Sequence, residues 1–568
     1  MGAFFLSHIQ SDINQEVIEQ IYLQKGFKNH KVFDLGNCRL YLYQKINVQI
    51  PNFYEENDCS IFAIGSLFYK KLGYTQSLIT LLHDFKNNCL DANALFGNYV
   101  LLFCNKQTKN LTFFIDPAFV KSVYFDKEKR IISTDFLAIL NNRISNISLN
   151  RNAIIENIIT GDLISPDTYV NEIHKIDRIN YQKLNTSFQD INFKILIPNT
   201  SKSLDSKKSA IKDAINLLDL YFLSVKNISE EFGAHIGLTG GFDSRLLLMN
   251  ARKHINNLDT NSFWRENSLE FKNAKALAQK AGLHFTSFEN DTFEIPSLDK
   301  VMQNSYYVFD GQIRSQNRWN QEFALPEYIK RIANNHYVGF HGCGGEQYRN
   351  AERWKGKHSL HDFILHECLF KLGENPFIDK KMQDEIYQYI LSKILRLLGV
   401  LPKKISLLEV KRIYNEIWIT ANRNTRLNVL NQYQFYFAPF TEYGIAHSAY
   451  LYVPYLGSSK SFQIEMMQKT DAELAAVSTN YGYSVLQGES VKEKMLSKIA
   501  ANLPRKYLLT FYKKLKHPLD KKNKIIEQQN NAIQALLKGV DLSVILKNED
   551  ISFQINAFNY LFNQMNQN

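Results

Sequence analysis

The stretch of sequence that decides the fold lies between residues 234 and 248 and reads AHIGLTGGFDSRLLL. Residues 234–238 form a short apolar run that predicts a buried strand, and a helix is expected directly after the Gly240-Gly241 pair. The two glycines allow a tight turn and let backbone N–H groups approach a ligand closely. Because a helix N-terminus adds free N–H donors and the positive end of a dipole, this stretch predicts an anion cradle of the phosphate type.

The polar side chains of this loop narrow the chemistry. Thr239 and Ser244 supply hydroxyl groups, and no Gly-Lys-Ser/Thr sequence follows, so the loop is not a Walker A motif. Asp243 would repel a phosphate unless a divalent cation bridged the two, and we therefore expect magnesium here. The alternative interpretation is an ordinary junction between a strand and a helix, without a ligand.

The rest of the chain predicts an α/β protein with a boundary near residue 200. Before that point, short strands are expected at 59–67, 98–104, 111–115 and 122–125, and their weak alternation is typical of strands buried on both faces. Residues 199–203 form a polar, turn-rich join. A helical period follows over 206–231, and strand-like stretches then alternate with helical ones such as 273–281. The last 170 residues or so are expected to be mostly helical.

The composition is that of a globular protein, with 45% apolar, 22% charged and 13% aromatic residues in 568. No apolar stretch approaches the roughly 18 residues of a membrane span. The N-terminus lacks the pattern of a signal peptide. The six cysteines contain no CxxC pair, which favours a reducing, cytoplasmic location.

Most of the net charge of +11 is concentrated between residues 492 and 524, where eleven basic residues face only Glu493 and Asp520. One interpretation is the solvated face of packed helices. The other is a surface for an acidic partner or for anionic lipid, which would place the protein at the inner face of a membrane. Nothing in the sequence predicts a nucleic-acid partner, and the oligomeric state stays open.

Residues 239–244 resemble the Ser-Gly-Gly-x-Asp-Ser pyrophosphate loop of the asparagine synthetase family, whose relatives include β-lactam synthetases and lasso-peptide cyclases. Residues 341–347, which read HGCGGEQ, are similar to the second glycine loop of that family. Residues 438–442, which read APFTE, are similar to its Val-Pro-Phe-Leu-Asp element. The resemblance implies ATP and Mg²⁺ as cofactors. It assigns ATP and pyrophosphate binding to one set of residues, namely Leu238, Thr239, Gly240, Gly241, Asp243, Ser244, His341 and Gly342.

The N-terminal part resembles the Ntn-type glutaminase domain of the same family, through residues 93–99, 114–117, 124–125 and 133–136. The resemblance spans about residues 1–515. It implies an αββα sandwich as a degenerate glutaminase-like domain over 1–200. A ligase domain with an adenine-nucleotide α-hydrolase-like parallel sheet and a helical C-terminus would follow over 201–568.

Four departures from the family pattern limit what the resemblance implies. Gly2 stands where a glutaminase needs its nucleophilic cysteine, so we expect no glutamine hydrolysis. Cys343 stands where the synthetases have a glutamate and the β-lactam enzymes a tyrosine, and a buried thiol is a poor general base. Glu346 replaces an aspartate that helps to hold magnesium, so the expected metal ligands are Asp243 and Glu346. The catalytic lysine of the family falls on Lys513 or Lys514, with Lys494 as a poorer third choice.

The function expected from this resemblance is that of an ATP-dependent carbon–nitrogen ligase. It would adenylate a small-molecule or peptide carboxylate, release pyrophosphate, and pass the acyl group to ammonia or an amine, with Lys513, Lys514 and Glu346 as catalytic candidates. Two alternatives remain open. One is an intramolecular cyclase of the lasso-peptide or β-lactam type, and the other is a non-catalytic descendant that binds nucleotide or a partner.

Overall fold

A computed structural model describes residues 2–128, 130–143, 147–161, 163–164, 167–178, 180–181, 184–185, 188, 190–288, 302–303, 306–312, 336–350, 359–365, 380–400, 404–457, 459–491, 495 and 549–567.

The strands of these residues form three sheets. In chain order they are β1 (Ala3–His8), β2 (His30–Leu35), β3 (Cys38–Tyr43), β4 (Phe53–Glu55), β5 (Cys59–Tyr69), β6 (Leu95–Asn105), β7 (Leu111–Ile115), β8 (Tyr124–Asp126), β9 (Ile131–Ser133), β10 (Ile173–Lys175), β11 (Ile191–Ile195), β12 (Ala234–Gly237), β13 (Leu258–Ser262), β14 (Phe285–Ser287), β15 (Val338–Phe340) and β16 (Phe435–Phe437).

The described helices lie between and after these strands. They are α1 (Gln15–Gln24), α2 (Tyr74–Lys86), α3 (Phe136–Asn141), α4 (Arg151–Thr160), α5 (Lys207–Phe232), α6 (Asp243–Ala251), α7 (Leu269–Ala281), α8 (Leu360–Phe363), α9 (Lys380–Leu398), α10 (Leu407–Ile413), α11 (Asn424–Tyr433), α12 (Tyr443–Leu451), α13 (Ser461–Thr470), α14 (Ala472–Ala475) and α15 (Glu549–Gln567). A π-helical segment, Tyr414–Arg423, joins α10 to α11.

The first two sheets stack face to face and carry helices on their outer faces. The sheets have the strand orders β10-β8-β9-β1-β3-β2 and β11-β7-β6-β5-β4. Phe4 and Leu6 of β1 pack into the core between the sheets, whereas Ala3 and Phe5 pack into a second core with α1, α3 and α4. Successive side chains of a strand point to opposite faces, so β1 contributes to both cores. Strands β5 and β6 do the same, because their other face packs against α2 and α5.

The third sheet is entirely parallel and has the strand order β14-β13-β12-β15-β16. Helix α5 packs between it and the second sheet. Ser206 caps the N-terminus of α5, and its Tyr221, Phe222 and Val225 share one core with residues of both sheets. Because this core continues across residue 200, the boundary expected there stays a prediction.

The coarse expectations from the sequence agree with this architecture. Four of the described strands, β5, β6, β7 and β8, lie where strands were predicted, and β5 is buried along its whole length. The helix predicted over 206–231 is α5, and the segment predicted at 273–281 belongs to α7. The fold is therefore mixed α/β, with two stacked sheets and one parallel sheet. Among the described residues, no helix is long and apolar enough to cross a membrane.

Candidate functional site

The predicted anion cradle lies at the carboxyl edge of the parallel sheet. Strands β12 and β15 are direct neighbours, with Ala234 opposite Val338 and Ile236 opposite Phe340. Because parallel strands end at the same edge, the loop after β12 and the loop after β15 emerge side by side. This edge is where ligands bind in open parallel α/β sheets.

The first loop is held in shape by its own hydroxyl groups. Thr239 N donates to Ser244 Oγ over 3.1 Å, and Thr239 Oγ1 accepts from Gly241 N over 3.1 Å. The two hydroxyl oxygens are themselves 3.1 Å apart. Helix α6 begins directly afterwards at Asp243, as the sequence predicted. The loop therefore presents a short arc of backbone in front of a helix N-terminus.

Gly240 is required by a close neighbour. A Cβ atom at this position would lie 1.5 Å from Oδ1 of Asn480, whose backbone N–H donates to Gly240 O over 3.1 Å. Asn273 on α7 holds the same Asn480 oxygen through a 3.0 Å hydrogen bond. The turn that contains Asn480 thus closes one side of the cradle.

Arg245 ties that turn to α6. Its side chain is fully buried, and its guanidinium donates to three backbone carbonyls, those of Leu474, Val477 and Ser478, over 2.6–3.0 Å. Burial lowers the pKa of Arg245 to about 10, so the group stays charged at neutral pH. A buried guanidinium that donates to three carbonyls is a structural cross-link between the first loop and residues 474–478.

Two carboxylates from the two loops meet at one guanidinium. Nη2 of Arg349 lies 3.2 Å from Oδ2 of Asp243 and 3.8 Å from Oε1 of Glu346, so these two oxygens are at most about 7 Å apart. Burial lowers the pKa of Arg349, but Asp243 and Glu346 outweigh it and raise the pKa above its ordinary value. Asp243 and Glu346 were predicted to act together, and the structure brings them together around a cation that the sequence analysis did not single out.

The second loop packs closely against Asp243. A Cβ atom at Gly345 would lie 2.4 Å from Oδ1 of Asp243, and one at Gly342 would lie 3.3 Å from the Asp243 Cβ. The 3₁₀ turn Gly345–Tyr348 then carries Glu346 and leads directly to Arg349. Glycine at these two positions allows the second loop to lie directly against the start of α6.

Further polar groups surround Asp243 from the C-terminal side. Nε2 of Gln463 on α13 donates to Asp243 Oδ1 over 2.9 Å. One turn earlier, Nζ of Lys460 lies 3.2 Å from the centroid of the Tyr481 ring and 5.5 Å from that of Phe242. A cation over an aromatic face is attracted by the ring quadrupole. Arg349 and Lys460 thus place two cations near the two carboxylates of the cradle.

The remaining residues of the second loop are mainly structural. His341 N donates to Phe437 O over 2.8 Å, and its Nδ1 accepts from Cys343 N over 3.1 Å. The Cys343 side chain is buried in a core with Tyr436 and Ala438. A thiol buried in this core is a poor general base.

The predicted site residues therefore fall into two groups. Leu238, Thr239, Gly240, Gly241, Asp243, Ser244, His341, Gly342 and Glu346 lie on the two adjacent loops. Lys494, Lys513 and Lys514, and with them the other basic residues of 492–524, lie outside the described residues. Arg349, Lys460, Gln463 and Asn480 were missed. Of these four, only Arg349 could have been found from the sequence, since it follows Glu346 by three residues and so lies one turn away.

The start of the chain bears on the expected loss of glutaminase activity. Gly2 is buried, and a Cβ atom there would lie 2.4 Å from Gln44 O and 2.7 Å from Tyr43 O. Backbone atoms of β3 and of the residue after it leave no space for a side chain. The position that a nucleophilic cysteine would need is therefore filled by the protein itself.

The acidic groups suit magnesium that arrives with a phosphate ligand. Mg²⁺ usually takes one or two protein carboxylates and keeps its other positions for water and phosphate oxygens. Asp243 and Glu346 supply that number, and among the described residues no group of three or more acidic, histidine or cysteine side chains could hold a metal alone. Arg349, with its single positive charge, offsets part of the negative charge of these two carboxylates.

No protein-family model matches this sequence, and no curated protein matches it.

Proposed function

We propose that this protein is an ATP-dependent ligase that adenylates a carboxylate and transfers the acyl group to ammonia or an amine. The observation that carries the proposal is the meeting of Asp243 and Glu346, from the loops after two adjacent parallel strands, at the guanidinium of Arg349. A glycine loop, a helix N-terminus, two carboxylates and a cation at one sheet edge suit a magnesium diphosphate.

Each group has a distinct task under this proposal. The backbone of residues 239–241 and the N-terminus of α6 would bind phosphate oxygens, while Asp243 and Glu346 would hold magnesium. Magnesium would supply charge neutralisation for the departing pyrophosphate. Arg349, which lies between the two carboxylates, and Lys460 would add positive charge where negative charge develops in the transition state.

The proposed reaction has two balanced steps. An oxygen of the substrate carboxylate bonds to the α-phosphorus of ATP, and the bond from that phosphorus to pyrophosphate breaks. The amine nitrogen then bonds to the acyl carbon, AMP leaves with the former carboxylate oxygen, and the nitrogen loses a proton. Lys513 or Lys514 remains the proposed cation for the first step, with Lys460 as a further candidate.

The N-terminal region would serve as a scaffold. Its two stacked sheets with helices on both outer faces agree with the proposed Ntn-like αββα arrangement, and the parallel sheet agrees with the proposed synthetase-like domain. The filled space at Gly2 supports a nucleophile that comes from solution or from the substrate rather than from glutamine.

The first test measures magnesium-dependent ATP binding. Pyrophosphate release is then measured with a panel of carboxylates and ammonium chloride. Asp243→Ala should abolish both signals, because it removes one magnesium ligand and the partner of Arg349. Asp219→Ala is the matched control. This acid sits on α5, contacts His254 over 2.9 Å, and lies outside the cradle.

Three outcomes of this test distinguish the candidate functions. Binding and release in the wild type and in Asp219→Ala, with both lost in Asp243→Ala, would support the ligase. Binding without release for any carboxylate in the panel would favour the non-catalytic alternative. Equal ATP binding in Asp243→Ala and in the wild type would overturn the assignment of the cradle.

A further inference from the structure

A second cavity lies away from the cradle, between the N-terminal sheets and the C-terminal helices. It has a volume of about 50 Å³. Residues 118–120 and 175–178 form one wall, and residues of α9, the π-helical segment and α12 form the other. A water molecule needs roughly 10–15 Å³ of such space, so this cavity holds several waters or one small organic molecule.

One buried lysine of the cavity wall forms no ion pair with a carboxylate in the part of the chain that the structure describes. Lys175 is 8% exposed, and its Nζ donates to Thr420 O over 2.9 Å. Among the described residues, no carboxylate oxygen lies within 4 Å of that nitrogen. Burial lowers the pKa of Lys175 to about 8, although Asp177 and Asp116 act in the opposite direction. A buried ammonium without a counter-ion is costly, and an anion in the cavity would offset that cost.

Of the other cations of the described wall, Arg178 and Lys393 are paired with carboxylates, and Arg396 is exposed. Nη1 of Arg178 contacts Glu416 Oε2 over 3.0 Å, and the other Glu416 oxygen accepts from Tyr450 over 3.1 Å. Lys393 is paired with Glu156 and, over 2.7 Å, with Asp167. Lys175 is therefore the buried cation of the described wall that a ligand can neutralise.

A hydrogen-bond donor accompanies this cation. Nη2 of Arg178, which can only donate, lies 3.4 Å from Nε2 of His447. Burial, Arg178 and Arg412 lower the pKa of His447 to about 3, so the ring is neutral and carries its hydrogen on Nδ1. Nδ1 is buried and has no hydrogen-bond partner among the described residues. A ligand oxygen is the acceptor that this donor lacks.

The rest of the wall is largely apolar and includes Phe119, Ile417 and Ala446. We propose that this cavity binds a small carboxylate of about two to four carbons, with the charged end at Lys175 and His447 and the carbon chain against the apolar wall. The proposal does not depend on ATP or on the ligase reaction.

The cavity is also connected to the cradle through packing contacts. Thr441 lines the cavity, and the preceding Phe440 packs on the second loop, where a Cβ atom at Gly344 would lie 3.1 Å from Phe440 Cβ. A ligand in the cavity therefore contacts the same 3₁₀ turn, Pro439–Thr441, that supports the second loop.

The test is calorimetric titration of the full-length protein with sodium propionate, without nucleotide and at constant chloride concentration. Propylamine hydrochloride and sodium sulfate serve as comparison ligands. Lys175→Met removes the charge, and Ala446→Leu fills the cavity while keeping the lysine. Lys45→Met is the matched control, since Lys45 is also buried and donates to a backbone carbonyl, that of Asn431, over 2.5 Å, but does not line the cavity.

Propionate should bind the wild type and Lys45→Met equally, and at least about tenfold more weakly to Lys175→Met and Ala446→Leu. Propylamine should not bind. The proposal is overturned if propionate fails to bind the wild type, if Lys175→Met binds it equally well, or if sulfate binds as tightly as propionate. Ala446→Leu keeps the proposal testable should Lys175→Met fail to fold.

Discussion

Nη2 of Arg349 lies 3.2 Å from Oδ2 of Asp243, and this ion pair links the two loops at the carboxyl edge of the parallel sheet. Without a ligand, the guanidinium neutralises acidic groups that would otherwise repel each other. With a metal–phosphate ligand, the same guanidinium would face phosphate oxygens. The pair therefore holds the two loops against each other at this edge of the sheet.

Arg349→Met should lower the free energy of unfolding by about 3 kcal/mol in the absence of metal, because it leaves two largely buried carboxylates without their cation. Millimolar MgCl₂ should recover a large part of this loss, and should stabilise the wild type less. Thermal unfolding with and without MgCl₂ measures both effects. Arg252→Met, which breaks the 2.5 Å pair with Asp471, is the control and should gain nothing from magnesium. A variant at 349 that is insensitive to magnesium would contradict the metal assignment.

Gly240→Ala should destabilise the protein and weaken ATP binding, because its new Cβ atom would lie 1.5 Å from Oδ1 of Asn480. Asn480→Gly in the same chain should relieve the clash, giving a coupling energy of about 1–3 kcal/mol in a double-mutant cycle. Chemical denaturation of the four proteins measures it. Additive effects of the two substitutions would show that this contact does not shape the loop.

Gly2→Cys should not create glutaminase activity. Its side chain would clash with Gln44 O and Tyr43 O. The structural shift that makes room for it should lower the free energy of unfolding by about 1–3 kcal/mol. Glutamate release from glutamine and thermal unfolding, measured against the wild type, test the two parts. Glutamate release above the wild-type level would contradict the view that this position is structurally closed to a nucleophile.

Glu442→Gln should make the protein more stable at alkaline pH. Burial raises the pKa of Glu442 to about 8, although the hydrogen bond of 3.1 Å that it accepts from Gly97 N opposes the shift. The folded state thus keeps a proton that the unfolded state releases at lower pH. The stabilising contribution of Glu442 is therefore fully present below about pH 4.5 and declines as the pH rises towards 8. The contribution falls by up to about 1.4 kcal/mol per pH unit in that window.

Denaturation curves at pH 5, 7 and 9 test this expectation, with the wild-type and variant curves converging at the acidic end. Asp116, whose pKa burial raises to about 7, adds a further decline that the Gln variant retains. Glu16→Gln, at an exposed position of α1, is the control substitution. An identical pH dependence for Glu442→Gln and the wild type would refute the prediction.

Lys460→Met should weaken ATP binding about tenfold, since the lysine lies at the start of α13, one turn from the Gln463 contact with Asp243. Calorimetric titration with MgATP measures the affinity, and Lys469→Met, at the other end of α13, is the control. Lys513→Ala and Lys514→Ala belong in the same series. Lys460→Met can bind MgATP with unchanged affinity while Lys513→Ala or Lys514→Ala loses pyrophosphate release. That result would assign the catalytic role to Lys513 or Lys514 instead of Lys460.

Much of the fold could be predicted because it depends on local pattern. The period of 3.6 in 206–231 placed α5, and the continuous apolar runs placed β5 and β6, because burial on both faces leaves no polar alternation. The cradle loop was equally visible, since Thr239, Gly240, Gly241 and Ser244 are consecutive or nearly so. The glycines carry the turn, and the hydroxyl groups stabilise it locally.

The partners of this loop could not be predicted in the same way. Gln463 and Asn480 reach it from 220 residues and 240 residues further along the chain, as the contacts with Asp243 and Gly240 show. No spacing rule relates residues so far apart, because their approach depends on how α13 and the turn after α14 pack on α6. The cavity at Lys175 is likewise formed by five separate segments, and its buried lysine looks ordinary in the sequence.

The sequence by itself determined the elements, the glycine loop and the two acidic residues, because each depends on side chains within a few positions of one another. Only the tertiary structure decided that Asp243 and Glu346 share one guanidinium, that Gly2 has no room for a side chain, and that Lys175 is buried without an ion pair to any carboxylate of the described residues. The physical reason is that charge pairing, steric exclusion and burial depend on distance in space. For this chain, those distances follow from the neighbouring positions of β12 and β15 and from the packing of C-terminal helices on the N-terminal sheets.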